Sequence, residues 1–442
     1  MDIVVIGAGY VGLVAAASFA SFGCRVYCVE NNESKLRQFE AEQVDIYEEG
    51  LHELVQQGVH DGRLSFHSRL SDVLESAKLI FLCLPTPSVK HGIADLSSLL
   101  NVCEELGAVI PNDTVIVVKS TVPAGTTARL ERVIRHAAAK LGKQVDFSIA
   151  MNPEFLRQGC ALQDFLHPHS VVIGTKDPRA ADRLVRLYES GLQNPVIQIM
   201  SPVEAEMAKY ASNYLLAARV SMINELANLC EAVGADIASV RNVVGMDPNI
   251  GSGFLNAGIG YGGSCFPKDI EALIKTANTY GLDVPIMRAV QSVNDRQKQR
   301  LVANIIRRFG NDLAGYRFAV WGLAFKPGTD DMREAPSLDV IHALSALGAS
   351  ISAYDPAARR KAQIVLEGVS VEYTAGKYDA VIDADALLIL TEWEEFYEPD
   401  LAQLKERMRQ TLIYDGRRVL TKEQCRNSGF ELIQIGAGRD HD

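Results

Sequence analysis

The residues with the most chemistry in this 442-residue chain stand together from Gly258 to Asp269, as Gly-Ile-Gly-Tyr-Gly-Gly-Ser-Cys-Phe-Pro-Lys-Asp. A glycine-rich loop delivers Cys265 to the expected start of a helix. Pro267 suits a first helical turn, and Ile270, Leu273, Ile274 and Ala277 repeat with helical spacing. The unpaired N–H groups of that turn and the Lys268 ammonium would favour a thiolate over a thiol. A cysteine in a tight turn often serves only as a small apolar filler. Gly262 and Gly263 before it, with Lys268 and Asp269 after it, point instead to a nucleophile.

A second constellation opens the chain. Ile3 to Ile6 form an apolar strand, and Gly7-Ala8-Gly9-Tyr10-Val11-Gly12 follows directly before a helical pattern through Val14, Ala17, Ser18 and Ser21. In this context GxGxxG lets a pyrophosphate approach a helix N-terminus. The next strand, Arg25 to Val29, ends at Glu30, where a ribose-binding acid is expected. An acid there accepts from a 2′-hydroxyl and repels a 2′-phosphate, so NAD is favoured over NADP; Lys35 lies just beyond.

These residues need a scaffold, and the composition supplies one. The chain is 48% hydrophobic and 22% charged, enough for two or three domains with cores of their own. Its net charge is -11, from 44 Lys and Arg against 55 Asp and Glu, and no basic patch invites nucleic acid. The eight cysteines are scattered without CxxC or metal-ligand spacing, so reduced thiols and no metal site are expected. A strand begins almost at Met1, with no export signal before it, and no apolar run nears the roughly 20 residues a spanning helix needs. A cytoplasmic protein without a membrane partner is the expectation.

The sequence predicts further strands at Lys78 to Leu84, Thr114 to Lys119, Phe147 to Ala150 and Val171 to Gly174, separated by helices. That alternation describes a mostly parallel α/β sheet. Pro85-Thr86-Pro87, Ser120-Thr121-Val122-Pro123 and Asn152-Pro153-Glu154-Phe155-Leu156-Arg157-Gln158 follow three of these strands, at the edge where such sheets bind ligands. From Val203 to Ala232 one long helix is predicted, with Ala208, Ala211, Leu215, Ala218, Met222, Leu226 and Leu229 as an apolar stripe. Lys209 and Asn213 share one face of it and suit an oxyanion. Helices are also predicted at Ile237 to Val244 and Val290 to Phe309. After Gly315 the alternation restarts, with strands at Phe318 to Gly322, Ser350 to Tyr354, Ala386 to Leu390 and Leu412 to Tyr414. The fold class is α/β, two Rossmann-like doubly wound domains joined by a long central helix. The expected boundaries are 1–200 for the NAD-binding domain, 201–305 for a central helical region carrying the cysteine loop, and 306–442 for the second Rossmann-like domain. That last domain lacks GxGxxG; Lys326, Arg333 and Arg417 are cations near its strand ends, suited to a diphosphate.

GYGGSCFPKD from Gly260, KSTVPAGTT from Lys119, NPEFL from Asn152 and FKPGTDDMRE from Phe325 together resemble the UDP-glucose/GDP-mannose dehydrogenase family over essentially the whole chain. Thr391-Glu392-Trp393 with Glu395-Phe396, the Phe-Pro-Lys after the cysteine, and Asp415-Gly416-Arg417-Arg418 lean toward members that oxidise UDP-glucose. The resemblance implies a homodimer through the long helix. It also implies four-electron oxidation of the sugar C6 alcohol to a carboxylate, consuming two NAD and one water, and the expected product is UDP-glucuronate for surface polysaccharide or lipid modification. Cys265 would capture the C6 aldehyde as a thiohemiacetal, which is oxidised to a thioester and hydrolysed.

By the same resemblance Lys209 and Asn213 stabilise the oxyanion, Asp269 and Thr121 orient water, and Glu154 is the general base. Gly7, Gly9, Tyr10, Val11, Gly12, Glu30 and Lys35 hold NAD, with Thr86 and Thr121 beside the nicotinamide and Lys268 and Arg333 reaching the cofactor. Glu154, Phe155, Leu156, Arg157, Lys209, Asn213, Phe254, Leu255, Asn256, Tyr261, Gly262, Lys326 and Arg417 enclose the nucleotide sugar. The chain departs from the family at Gln158, where Glu is common, at Asn249 and Gly253, where Arg occurs in relatives, and at Leu84-Pro85. Two other readings stay open: a dehydrogenase of GDP-mannose or a UDP-N-acetylhexosamine, and a regulator that binds a nucleotide sugar without turnover. A two-electron hydroxyacid dehydrogenase leaves Cys265 unexplained.

Overall fold

The structure, a computed structural model, describes residues 1–438 apart from 42, 76, 90 and 91; the last four residues of the expected C-terminal domain lie outside it. The chain divides into two compact units, Met1–Ser212 with Glu271–Leu282, and Asn213–Ile270 with Asp283–Asp442.

The first unit is built on an eight-stranded sheet. From edge to edge its strands are Ile197–Met200, Val171–Gly174, Phe147–Met151, Thr114–Val118, Leu79–Leu82, Asp2–Ile6, Arg25–Val29 and Leu64–His67. Neighbours run parallel except at the bridge between Met151 and Gly174. The central strands are buried on both faces, so they read as unbroken apolar runs such as Leu79–Leu82. Helix Tyr10–Ser21 is almost wholly buried against one face, through Leu13, Ala16, Ala17 and Phe19. Leu99, Cys103, Leu106, Leu130 and Ile134 cover the other.

The second unit holds six parallel strands, in the order Val371–Tyr373, Ser350–Tyr354, Arg317–Trp321, Ala386–Ile389, Leu412–Asp415 and Glu431–Gln434. Two apolar layers cover its faces, one centred on Val340, Ile341 and Leu344, the other on Trp321, Phe396 and Leu404.

Helix Pro202–Val233 runs 32 residues, about 48 Å at the usual rise, from the first unit into the second. It has no glycine and no proline past its first residue, and Gly234 at φ +78° ends it. Of the stripe expected from sequence this chain buries Ala218 and half-buries Ala208 and Ala211, but leaves the large residues outside. Ala205, Tyr210, Ala217, Ile223, Ala227 and Cys230 are buried, whereas Leu215, Met222, Leu226 and Leu229 are exposed, Met222 to 62%. Helices Ile237–Gly245 and Pro285–Phe309 complete the expected set, the second starting five residues before Val290 because Pro285 opens its first turn.

Candidate active site

The fingerprint turn is closed by Gly7 N–H donating to Val29 O at 2.8 Å. Gly7 sits at φ +100°, and a Cβ on Gly12 would lie 1.8 Å from Gly7 O, so both glycines are required by backbone packing alone. A Cβ on Gly9 would meet nothing within 4 Å, which leaves the approach to the head of helix Tyr10–Ser21 open, as a pyrophosphate needs. Val11 is half-buried in the first turn. Glu30 accepts from Ala8 N at 3.2 Å and Asn32 N at 3.0 Å, with Lys35 Nζ 3.7 Å away. The acid therefore sits against the turn. Tyr10 O–H donates to the buried Glu48 carboxylate, and Gly159 N donates to both, tying the turn to the segment after Gln158.

The strand ends of this first unit gather the other expected residues. Thr86 Oγ1 donates to Thr121 O at 2.8 Å. Glu154 Oε1 lies 3.2 Å from Lys209 Nζ, with both side chains less than a tenth exposed, and Glu154 Oε2 accepts from Leu156 N at 2.6 Å. Lys209 also stands over the Phe155 ring. The Arg157 guanidinium forms a bidentate pair with Asp164.

In the second unit, helix Phe266–Thr279 begins immediately after Cys265, with Pro267 in its first turn. Cys265 is half-buried, its carbonyl accepts from Asp269 N at 3.0 Å, and its Sγ lies 3.6 Å from Ser264 Oγ. Asp269, 1% exposed, accepts from Asn213 Nδ2 at 2.6 Å and from Lys268 Nζ at 2.5 Å. Arg333 is held above the usual guanidinium range first by its bond to Asp331, with Cys265 also contributing.

The glycine loop has no secondary structure of its own, so side chains must satisfy its backbone. Asn224 accepts from Gly258 N, Gln297 donates to Gly258 O, and Asn294 bonds both N–H and C=O of Tyr261. Arg417 donates to Gly260 O at 3.0 Å and to Leu390 O at 2.9 Å, which makes it a brace for this loop. Gly262 and Gly263 press on Glu334 O and the Phe325 ring, where any Cβ would collide. Phe254, at φ +57°, and Tyr261 place their rings beside Phe266. Leu255 is buried among Ile223, Ala227 and Ile237, Asn256 is exposed, and Lys326 is half-buried.

Three family models match in order: the NAD binding domain of the UDP-glucose/GDP-mannose dehydrogenase family over residues 1–191, its central domain over 203–296 and its UDP binding domain over 319–422. The chain belongs to the UDP-glucose/GDP-mannose dehydrogenase family. A UDP-glucose 6-dehydrogenase of Pseudomonas aeruginosa is 42% identical, over 99% of this chain and 98% of the relative. The solved UDP-glucose dehydrogenase of Pyrobaculum islandicum is 36% identical with a TM-score of 0.90, covering 99% of this chain and 98% of that one. A UDP-D-ManNAc dehydrogenase of Pyrococcus horikoshii reaches a TM-score of 0.87 at 26% identity, covering 99% and 100%. Membership makes this chain an NAD-dependent dehydrogenase of nucleotide sugars.

Sequence reasoning passed over several polar groups of this family member: Glu48, Glu206, Asn224, Asn294 and Gln297, all buried. No spacing announces them, because each meets its partners only in the folded chain. Lys119 belongs with them. Its ammonium is buried, donates to Asn152 Oδ1 at 3.1 Å and to Tyr188 O–H at 3.4 Å, and burial pushes it from 10.5 down to about 8. Between those two pH values the unfolded chain keeps a proton on Lys119 that the folded chain has released, so the contribution of Lys119 itself to stability rises with pH across the window and is flat below it. Lys119→Met is expected to lose that rise, worth on the order of 3 kcal/mol. Urea denaturation of both proteins at intervals through the window reads the difference; parallel curves would contradict it.

Proposed function

We propose that this protein oxidises UDP-glucose at C6 to UDP-glucuronate, in two successive two-electron steps. The turn from Cys265 to Asp269 carries the reading: a thiol at a helix head, one turn before a buried carboxylate bonded to Asn213 and Lys268. A dehydrogenase that stops at the aldehyde has no use for such a thiol. Similarity along the full length to UDP-glucose 6-dehydrogenases supports the choice of sugar.

Gly7, Gly9, Tyr10, Val11, Gly12, Glu30 and Lys35 would hold NAD, with Thr86, Thr121, Lys268 and Arg333 completing its site; Glu30 excludes a 2′-phosphate by charge. NAD, when bound, accepts one hydride from C6 in each oxidation. As the C6 hydroxyl gives its proton to water in the first step, N–H donors of Lys209 and Asn213 would stabilise the alkoxide. The Cys265 thiolate then adds to the aldehyde carbon, forming a C–S bond, and the oxygen takes up a proton to give the thiohemiacetal. Loss of the second hydride from C6, with the hydroxyl proton passing to water, leaves a thioester. Water adds to its carbonyl with Glu154 as general base, and the C–S bond breaks to return the thiolate and release the acid. Asp269 and Thr121 orient that water. Backbone groups around Phe155, Leu156 and Arg157, together with Phe254, Leu255, Asn256, Tyr261, Gly262, Lys326 and Arg417, form the nucleotide-sugar site, Leu255 through its backbone since its side chain is core. Gln158 brings no carboxylate, so the base role rests on Glu154.

The division at 1–200, 201–305 and 306–442 assigns cofactor, dimer contact and UDP-sugar to successive parts of the chain. A homodimer is supported by Leu215, Met222, Leu226, Leu229 and Val233, exposed along one long helix. No described helix is long and apolar enough to cross a membrane, in keeping with a cytoplasmic enzyme of polysaccharide precursor synthesis.

With limiting UDP-glucose and excess NAD, near two NADH per sugar is expected. One NADH per sugar would indicate oxidation to the aldehyde only. No NADH from UDP-glucose, but two from a UDP-N-acetylhexosamine, would favour the substrate suggested by the Pyrococcus horikoshii neighbour.

A further inference from the structure

Helix Thr126–Lys140 begins at Gly125, which sits at φ +87° and has no side chain with which to cap the exposed N–H groups of the first turn. The cap comes instead from another helix. Glu206, with no exposed surface, accepts from Gly125 N at 2.5 Å through Oε2, and from Thr127 N at 2.7 Å and Thr127 Oγ1 at 2.6 Å through Oε1. Burial pushes this carboxyl up, against hydrogen bonds from Thr127 and Gly125 that pull it down. A Ser or Asp in the N-cap position could satisfy these donors locally, but at φ +87° either would be strained, so the cap comes from elsewhere. What such a local cap could not do is join two elements. Glu206 lies three residues before Lys209 on helix Pro202–Val233, so one helical turn separates the clamp from the ammonium paired with Glu154. The segment it clamps starts at Thr121, whose carbonyl is held at the other end by Thr86.

We infer that Glu206 is a positioning residue that locks the Thr121–Thr127 segment in register with the Lys209 turn of the long helix. The consequence for the reaction rests on the function proposed above, which puts Thr121 beside the nicotinamide and Lys209 at the C6 oxygen. Loosening the clamp then impairs cofactor placement and hydride transfer far more than sugar affinity, because Lys209 is one of many contacts to the nucleotide sugar.

Thr127→Val keeps the shape of the side chain and removes one donor, Thr127→Ser keeps the hydroxyl, and Glu206→Gln replaces one acceptor oxygen with an amide donor. Expected for Thr127→Val are a kcat about tenfold lower, a raised NAD dissociation constant and a KM for UDP-glucose within about twofold of the parent, with Thr127→Ser restoring all three. Amide hydrogen exchange at Gly125 and Thr127 should quicken in Glu206→Gln. A lowered melting temperature with unchanged kcat and NAD affinity would reduce Glu206 to a helix cap and overturn the inference. If the parent enzyme made no NADH from UDP-glucose, the proposed function would fall while NAD affinity and amide exchange still decided the clamp: Thr127→Val weakening NAD and Thr127→Ser restoring it supports it, and equal affinities refute it.

Discussion

Cys265→Ser is expected to lower acid formation by about a thousandfold or more, and to drop the NADH count from near two per UDP-glucose to one or less. The thiol stands at the head of helix Phe266–Thr279, where the first-turn N–H groups and the Arg333 guanidinium favour negative charge. A serine hydroxyl in the same place stays protonated, adds to an aldehyde slowly, and would leave an oxygen ester that resists hydrolysis more than a thioester. Helix geometry and the Asp269–Asn213 bond do not depend on the sulfur, so the variant should fold and bind NAD as the parent does. Counting NADH, trapping aldehyde with hydroxylamine and quantifying the acid by mass spectrometry separate the steps. Normal turnover to the acid by this variant would rule out covalent catalysis through Cys265.

Lys209→Met should affect both stability and rate, for separable reasons. Lys209 and Glu154 form a buried pair at 3.2 Å, and removing one partner leaves an uncompensated carboxylate, which typically costs roughly 3–5 kcal/mol. Loss of an oxyanion donor should also lower kcat by about a hundredfold to a thousandfold. The double variant Lys209→Met with Glu154→Leu removes the orphaned charge and fills its space, so most of the lost stability should return. Activity should not return, because both the donor and the proposed base are gone. Denaturation midpoints and kcat measured on parent, single and double variants give the two effects. Recovery of kcat in the double variant would mean that Lys209 acts only as a counter-ion to Glu154.

Interior strands were legible because burial on both faces leaves an uninterrupted apolar run, as in Leu79–Leu82 and Ala386–Ile389. The edge strands Leu64–His67, Ile197–Met200, Val371–Tyr373 and Glu431–Gln434 were not. Each is three or four residues long and partly exposed, so its polar residues mask the pattern. The long helix was readable in extent, since nothing breaks it between Pro202 and Gly234, but its apolar stripe misled about direction. Periodicity reports that a face avoids water, and says nothing of whether this chain or a second copy covers it.

Chemistry carried by neighbours in sequence was determined by the sequence alone. The Gly7 to Gly12 turn and the cysteine ahead of Pro267 follow from spacings of a few residues, and the acid at Glu30 stands one helix and one strand beyond the turn, where local geometry leaves few choices. Tertiary structure decided which polar groups meet. Asn213 reaches Asp269 across 56 positions, and Glu206 reaches Thr127 across 79. No period connects such residues. Their pairing follows from the cost of burying a carboxylate or an amide without a partner, and that cost is set only when the chain closes around them.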